Sequence, residues 1–140
     1  MAIDFQVTFD ARDPHAANGF WSEALGYERE DNSALVDRLR AGGMLPEEAV
    51  VQVDGRSAFR DLAAARDPEG RRPRLLFQRA PEEKVIKNRV HLDLDAGADR
   101  ADAEVARLER LGATVAWVSD DRGVRCITMR DPEGNEFCVS

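Results

Sequence analysis

The sequence contains few cysteines, and this scarcity excludes a disulfide-stabilised secreted domain. Cys126 and Cys138 are its two cysteines, whereas small secreted folds carry several disulfide bridges. Their separation along the chain also differs from the Cys-x-x-Cys spacing of zinc and redox motifs. We therefore expect both to be reduced thiols that pack inside the fold.

Long apolar runs and a secretory signal are lacking as well. The N-terminus has neither a basic region nor an apolar segment, and no stretch is long enough to cross a membrane. We therefore expect a soluble, cytoplasmic protein that makes no membrane contact. Lysine is rare too, since Lys84 and Lys87 stand against many arginines, and together with the high alanine content this favours a bacterial source.

Positive charge is in deficit over the chain as a whole. Its 140 residues include 27 acidic and 20 basic side chains, which gives a formal net charge of −7. Nucleic-acid binding requires clustered surface cations, so we expect no nucleic-acid partner. The length fits one domain, and small molecules or other proteins are its expected partners.

The opening of the chain predicts a strand followed by a helix. Residues 3–10 alternate apolar and polar side chains, which is typical of a half-buried strand. Asp13 and Pro14 then form a helix start, and apolar residues at three-to-four spacing continue until Gly26. We expect this helix to pack on the apolar face of the strand.

The second half of the chain repeats this order. An alternating segment over 90–95 precedes a helical pattern over about 99–111. The pentapeptide Arg-Asp-Pro-Glu-Gly occurs at 66–70 and again at 130–134, each time shortly before an apolar strand. The chain is therefore predicted to be a two-fold internal repeat in which each half has a strand, a helix and two or three further strands.

An insertion at about 31–55 distinguishes the first half from the second. It contains a predicted helix over 33–40, a turn at Pro46 and a short strand over 50–53. We interpret it as a lid or a dimer contact, with a surface insertion of no function as the alternative.

Polar side chains share one face in three of the predicted strands. Gln6, His91 and Glu136 all point away from the face that packs on a helix. Amide, imidazole and carboxylate groups together suit Zn, Ni, Mn or Fe(II). Because any solvated sheet face also carries polar residues, the pattern alone leaves a metal site and an ordinary exposed face as alternatives. Cys138 shares the face of Glu136, and packing is its expected role.

Other polar and aromatic residues have simpler expected roles. His15 lies just inside the first helix, where a solvated or capping imidazole is the usual meaning. Trp117 and Phe59 are expected to line a cleft and to stack on a ligand.

Longer motifs extend these patterns over nearly the whole chain, except for the insertion. On them the chain resembles a glyoxalase-like domain of the vicinal oxygen chelate (glyoxalase/bleomycin resistance/dioxygenase) superfamily. They are the aromatic helix FWSEALGY at 20–27, PRLLFQR at 73–79, KNRVHLDL at 87–94 and the ending DPEGNEFCV at 131–139.

The resemblance implies an α+β fold in a single domain over 1–140. Two paired βαβββ modules, at about 1–80 and about 88–140, would form a cupped sheet around a small-molecule cleft. Members of the superfamily include metal-dependent lyases and isomerases, ring-cleaving dioxygenases and antibiotic resistance proteins, often as homodimers. A homodimer with a small-molecule ligand is therefore the expectation for this chain.

The family's metal enzymes take one ligand from the first strand and one from the last strand of each half. By motif position the resemblance places these ligands on Gln6, His91 and Glu136, for a divalent cation such as Zn, Ni, Co, Mn or Fe. The fourth position falls on Arg74, with Gln78 further along the same strand face, and a permanent guanidinium charge opposes cation binding. The implied ligand set is incomplete.

Arg74 separates two hypotheses about function. In the leading one, a divalent-metal-dependent lyase or isomerase keeps three ligands, and Glu136 also acts as the catalytic base. Arg74, Gln78 and Trp117 would then bind the substrate, with Arg74 on an anionic group. In the alternative, Arg74 pairs with Glu136 in place of the metal, and the protein binds or sequesters a ligand such as a cationic antibiotic. Whether the protein is an enzyme stays open at this point.

Overall fold

Each half of the chain builds its own four-stranded sheet with one helix packed against it. The structure is a computed structural model that describes residues 1–140, which divide into unit 1 (Met1–Pro81) and unit 2 (Glu82–Ser140). Helices and sheets alternate within both units, which confirms the α+β class predicted from the sequence. Each helix is too short or too polar to span a bilayer.

Unit 1 consists of a sheet, the helix α1 and the additional elements of the insertion. Strand β1 and strand β6 are parallel neighbours, and the full order of the sheet is β1-β6-β5-β2. The elements are β1 (Val7–Ala11), α1 (Pro14–Leu25), β2 (Glu28–Arg29), α2 (Ser33–Ala41), a 3-10 turn (Glu47–Ala49), β3 (Val50–Val53), β4 (Arg56–Phe59), β5 (Leu62–Arg66) and β6 (Leu75–Arg79).

Helix α1 begins and ends where the sequence predicts. The Asp13 side chain accepts hydrogen bonds from the first free backbone N–H groups, and Gly26 closes the helix in a left-handed conformation at φ 68°. Trp21 of α1 is buried, and its ring centre lies 5.4 Å from that of Phe9. The Phe9 ring stacks in turn on Phe77, with 5.2 Å between the ring centres. These aromatic contacts fix α1 on β1 and β6.

Unit 2 has the same strand order as unit 1. Its first strand is the parallel neighbour of its last, and Leu108 of its helix is buried together with Met129 and Phe137 of the sheet. The sheet order is β7-β10-β9-β8, which confirms the internal repeat. The elements are β7 (Asp93–Leu94), α3 (Ala101–Arg110), β8 (Thr114–Ser119), β9 (Cys126–Arg130) and β10 (Glu136–Val139).

The first strand of each unit is shorter than predicted. Strand β1 begins at Val7, and Ile3 and Phe5 before it are 89% and 71% exposed. Pairing of Val7 with Leu75 would set Phe5 opposite Pro73, which has no N–H to donate. In unit 2 the segment predicted as a strand over 90–95 forms a strand at Asp93–Leu94 alone. Alternation alone therefore overestimates a strand where the neighbouring chain stops pairing.

The insertion, together with residues 56–59 that follow it, folds into α2 and a two-stranded hairpin. Its helix covers Ser33–Ala41, its strand β3 covers the predicted residues, and β3 pairs with β4. Asp54 and Gly55 connect the strands with φ values of 50° and 76°, as a tight hairpin turn requires. Val36 is the buried anchor of α2, which packs against β4.

Candidate functional site

The predicted site residues of unit 1 lie on the sheet face opposite α1, which we call the open face of unit 1. Leu75 and Phe77 of β6 are buried on the helix side, so the alternating residues Arg74 and Gln78 point the other way. Gln6 precedes β1 on the same face, and Gln78 is exposed. The structure thus brings Gln6 and Arg74 together at one end of the β1–β6 pair.

Arg74 forms a bidentate ion pair with Glu30. Its Nε donates to Oε1 of Glu30 at 2.8 Å, and its Nη2 donates to Oε2 at 2.7 Å. The remaining arm, Nη1, donates to Oε1 of Gln6 at 3.0 Å. The hydrogen bonds from Arg74 lower the pKa of Glu30 despite partial burial, so the carboxylate stays charged. Each nitrogen of the guanidinium therefore has a hydrogen-bond acceptor inside unit 1.

Glu136 is the most deeply buried of the predicted site residues, with 6% of its surface exposed. Its Oε2 lies 2.9 Å from the Lys84 Nζ, and the same oxygen accepts the backbone N–H of Asn88 at 2.9 Å. Arg130 Nε lies 3.8 Å from Oε1. Burial raises the pKa of Glu136, but the hydrogen bonds from Asn88 and Lys84 outweigh it and hold the pKa at about 2.

The two charges that the alternative hypothesis pairs, on Arg74 and Glu136, each have an ion-pair partner inside their own unit. Arg74 is neutralised by Glu30, and Glu136 is neutralised by Lys84. A buried carboxylate requires one good partner, and each charge already has it. Neither Glu30 nor Lys84 shows a sequence signal, because each lies far along the chain from the residue it pairs with.

The divalent site implied by the resemblance does not fit the partners of its ligands. The Gln6 carbonyl oxygen faces the Arg74 guanidinium, and both oxygens of Glu136 are held by Lys84 and Asn88. A cation at Glu136 would have to displace the Lys84 ammonium, and a cation at Gln6 would have to approach the permanent charge of Arg74. Gln6 and Glu136 therefore each already face a cation of their own unit.

His91 takes part in a different cluster within unit 2. Its Nδ1 lies 2.9 Å from Oδ1 of Asp93, and the donor atoms of His91, Asp93 and Cys138 all lie within 4.8 Å of one another. Cys138 also contacts the Thr128 hydroxyl at 3.5 Å. Cys126 is a half-buried free thiol, and burial and the neighbouring Cys138 raise its pKa to about 11.

Trp117 on β8 is 40% exposed, and it stands near Lys87. The Lys87 Nζ lies 6.0 Å from the centre of the ring, at the outer limit of a cation–π contact. The ring is thus accessible, and one cation is already near it. That it stacks on a ligand stays a prediction.

A cleft of about 370 Å³ lies in unit 1 between α1, β5 and the hairpin β3–β4. The insertion forms one wall of it, and of the aromatic residues named from the sequence Phe59 lines it. The metal ligands and substrate-binding residues predicted from the sequence are not among the residues that line this cleft. Its charged lining consists of Arg29, Glu30, Asp31, Asp54 and Arg56.

A hydrogen bond from the His15 side chain connects α1 to β4 at the edge of this cleft. The ring Nε2 donates to the backbone carbonyl of Phe59 at 2.7 Å, and the ring also lines the cleft. The expectation that His15 is solvated or caps the helix is therefore wrong, because Asp13 is the cap and the imidazole is directed across to β4. Within the charged lining, Arg56 pairs with Asp31 at 2.6 Å.

Comparison with known proteins places these features in a family. The sequence matches the family described as glyoxalase-like domain over residues 6–140. No curated protein sequence matches the chain. Many solved structures share the fold at low sequence identity.

Three of these structures illustrate the range of the fold. A glyoxalase/bleomycin resistance protein/dioxygenase family enzyme from Burkholderia phytofirmans is 14% identical, with a TM-score of 0.64 over 98% of this chain and 97% of that one. The bleomycin-binding protein of Streptomyces verticillus, complexed with copper(II)-bleomycin, is 19% identical, with a TM-score of 0.54 over 100% and 96%. The fosfomycin resistance protein FosX of Listeria monocytogenes, complexed with Mn(II), is 11% identical, with a TM-score of 0.63 over 99% and 89%. At these identities the likeness concerns the fold alone.

Proposed function

We propose, from the premise that the chain belongs to the glyoxalase-like domain family of the vicinal oxygen chelate superfamily, that it is a small-molecule-binding protein rather than a metal-dependent lyase or isomerase. The alternative hypothesis from the sequence is thereby preferred to the leading one, in a modified form. Lys84 and Arg74, each within its own unit, take the place of the divalent cation.

The observation that carries this proposal is the contact between Lys84 and Glu136. A lyase or isomerase of the glyoxalase type would need Glu136 as both ligand and base. General bases work best when their pKa lies near the working pH, whereas that of Glu136 is about 2. A carboxylate held by an ammonium and a backbone N–H is instead suited to anchoring the segment before β7 on β10.

The cleft of unit 1 supports binding as the function. Its volume of about 370 Å³ falls in the range of small-molecule sites, about 300–1,000 Å³. Three carboxylates and two guanidinium groups line it, beside the apolar ring of Phe59. Each of the three carboxylates has an arginine partner, Asp54 in Arg29, Asp31 in Arg56 and Glu30 in Arg74. The net charge of −7 over the chain is what favours a ligand that carries a cationic group.

Metal binding gives the first test of the proposal. Untagged protein is dialysed against Mn²⁺, which prefers oxygen ligands, and bound metal is counted while thermal unfolding is followed. We expect substoichiometric Mn²⁺ and an unchanged Tm. Stoichiometric Mn²⁺ that is lost in Glu136→Gln would overturn the proposal. Lys84→Met should increase Mn²⁺ binding, and Lys87→Met, which removes the other lysine, should leave it unchanged.

Ligand binding in the cleft gives the second test. Calorimetric titrations compare agmatine, a cation without a carboxylate, arginine, which adds a carboxylate to the same cationic groups, and fosfomycin, an anion. We expect agmatine to bind most tightly and Ala58→Trp, which fills the cleft, to abolish its binding. Ala103→Trp on the exposed side of α3 is the matched control. Binding that persists in Ala58→Trp, or silence of all three probes, contradicts the assignment of the cleft.

We also propose that the protein is a homodimer, as the resemblance implies. Large apolar side chains are exposed in short runs, among them Val85, Ile86 and Val90 in unit 2. Exposed apolar clusters mark association surfaces. Sedimentation velocity should show a dimer for the natural chain and a shift toward monomer for Ile86→Asp, and a monomer at all concentrations of the natural chain would contradict the proposal.

A further inference from the structure

We propose that unit 2 carries a separate site for a thiophilic divalent cation, Zn²⁺ above all, formed by His91, Asp93 and Cys138. The three side chains bring an imidazole nitrogen, a carboxylate oxygen and a sulfur atom within 4.8 Å of one another. This donor set shares only His91 with the one that the family resemblance implies. It does not depend on the binding function proposed above.

The strand register explains why these three residues meet. Strands β7 and β10 are parallel, and Cys138 is the direct partner of Asp93. Their side chains therefore lie on one face of the sheet, opposite Leu94 and the buried Val139. His91 precedes Asp93 by two residues, so it lies on the same side, where its Nδ1 reaches Asp93 Oδ1 at 2.9 Å.

The charge around the cluster differs from that around Glu136. Glu136 is held by the Lys84 ammonium, whereas the contact of Asp93 is with the His91 ring. The His91 and Asp93 side chains are 35% and 69% exposed, so a cation can reach them from solvent. No displacement of a lysine or arginine is needed for binding, in contrast to the Glu136 position.

The donor types define which metal the cluster prefers. Thiolate and imidazole ligands suit Zn²⁺ and related soft cations, and oxygen-seeking Mn²⁺ and Mg²⁺ are disfavoured by sulfur. Three protein ligands leave a fourth position of a tetrahedral site for water or a ligand atom. Because thiol and imidazole ligands bind metals in their deprotonated forms, affinity should rise with pH.

Co²⁺ provides a spectroscopic test that requires no enzymatic activity. Titration of the reduced, metal-free protein with Co²⁺ should produce sulfur-to-cobalt charge-transfer absorption and tetrahedral ligand-field bands, saturating at one equivalent. One equivalent of Zn²⁺ should abolish both. Cys138→Ser should remove the charge-transfer absorption, and His91→Gln and Asp93→Asn should weaken Co²⁺ binding by at least about tenfold.

Matched variants keep this test decisive. Cys126→Ser, the change at the other cysteine, should retain the absorption, and circular dichroism checks that each variant is folded. Cys138→Ala replaces Cys138→Ser if the hydroxyl prevents folding. Absorption that survives the loss of the Cys138 sulfur, or that needs Cys126 equally, overturns the site, as does absence of the absorption in the natural chain.

The outcomes also separate this inference from the proposed function. Glu136→Gln should leave the Co²⁺ spectrum unchanged if the site is the one described. Mn²⁺ bound through Glu136 would contradict the proposed function and leave the thiophilic site standing. A missing Co²⁺ spectrum together with agmatine bound in the cleft would overturn the thiophilic site and leave the proposed function standing.

Discussion

The Nζ of Lys84 lies 2.9 Å from Oε2 of Glu136, and this contact joins the segment before β7 to the first residue of the last strand. The carboxylate is almost completely buried, and the lysine side chain is 19% exposed. The pair therefore sits in a setting where removal of either partner has a larger effect than at the surface.

Substitution of Lys84 should destabilise unit 2. Lys84→Met leaves the buried Glu136 carboxylate without its ammonium partner, at an expected cost of about 1–3 kcal/mol in the free energy of unfolding. Urea denaturation measures the loss, and Lys87→Met serves as the control. Adding Glu136→Gln to Lys84→Met should recover part of the loss, because the uncompensated charge is then gone. A double variant less stable than Lys84→Met would contradict this account.

Stability should depend on the protonation of Glu136 at acidic pH. The pKa of this residue is about 2 in the folded chain and 4.5 ordinarily, so the unfolded chain binds the proton at the higher pH. The stabilisation is thus complete above pH 4.5 and is lost as pH falls toward 2. Compared by urea denaturation at stepped pH, the natural chain should lose its advantage over Glu136→Gln across this window. Parallel curves for the two proteins would show that Glu136 does not contribute.

Asp131 should be essential to the turn before β10. It is buried, and its Oδ1 accepts the backbone N–H groups of Glu133 and Asn135, each at 2.9 Å. Asp131→Ala leaves these donors without that acceptor and should lower the free energy of unfolding by about 1–3 kcal/mol. Asp131→Asn keeps one oxygen and should lose less. Chemical denaturation that places Asp131→Ala level with the natural chain would contradict the prediction.

His15 should hold the insertion hairpin against α1. His15→Ala removes the hydrogen bond to the Phe59 carbonyl, with an expected local loss of about 1 kcal/mol. Hydrogen exchange at the backbone amides of β3 and β4 should become several-fold faster. His91→Ala in unit 2 is the control and should leave these amides unchanged. Equal exchange in the natural chain and His15→Ala would show that other contacts fix the hairpin.

Helix α1 and the repeated turns follow from local sequence signals. Asp13, Pro14 and Gly26 define the helix because their effects act within one turn of it. The Asp of each repeated pentapeptide is buried and accepts neighbouring N–H groups, as Asp67 does from Glu69 and Asp131 does from Glu133. Signals of this range are complete within a few residues, so the sequence alone predicts them.

The charge pairs of the site could not be predicted in the same way. Glu30 and Arg74 lie far apart along the chain, and so do Lys84 and Glu136. Their meeting depends on where the chain runs after β2 and before β7, and these segments have no periodic pattern. The face on which Gln6, Arg74 and Gln78 lie followed from alternation, whereas their partners did not. The cleft was missed for the same reason, since the insertion forms it by folding back on α1.

The identical strand order of the two units hides an inversion of charge. Arg74 just before β6 and Glu136 at the start of β10 occupy corresponding places in the two sheets. In unit 1 the strand supplies the cation and a distant residue supplies the anion, whereas in unit 2 the roles are exchanged. At this position the halves are therefore alike in backbone but opposite in charge. Exchange of Arg74 and Glu136 without their partners would set an arginine beside Lys84 and a glutamate beside Glu30. The strand residue and its distant partner must therefore change together if the charge at this position is to be reversed.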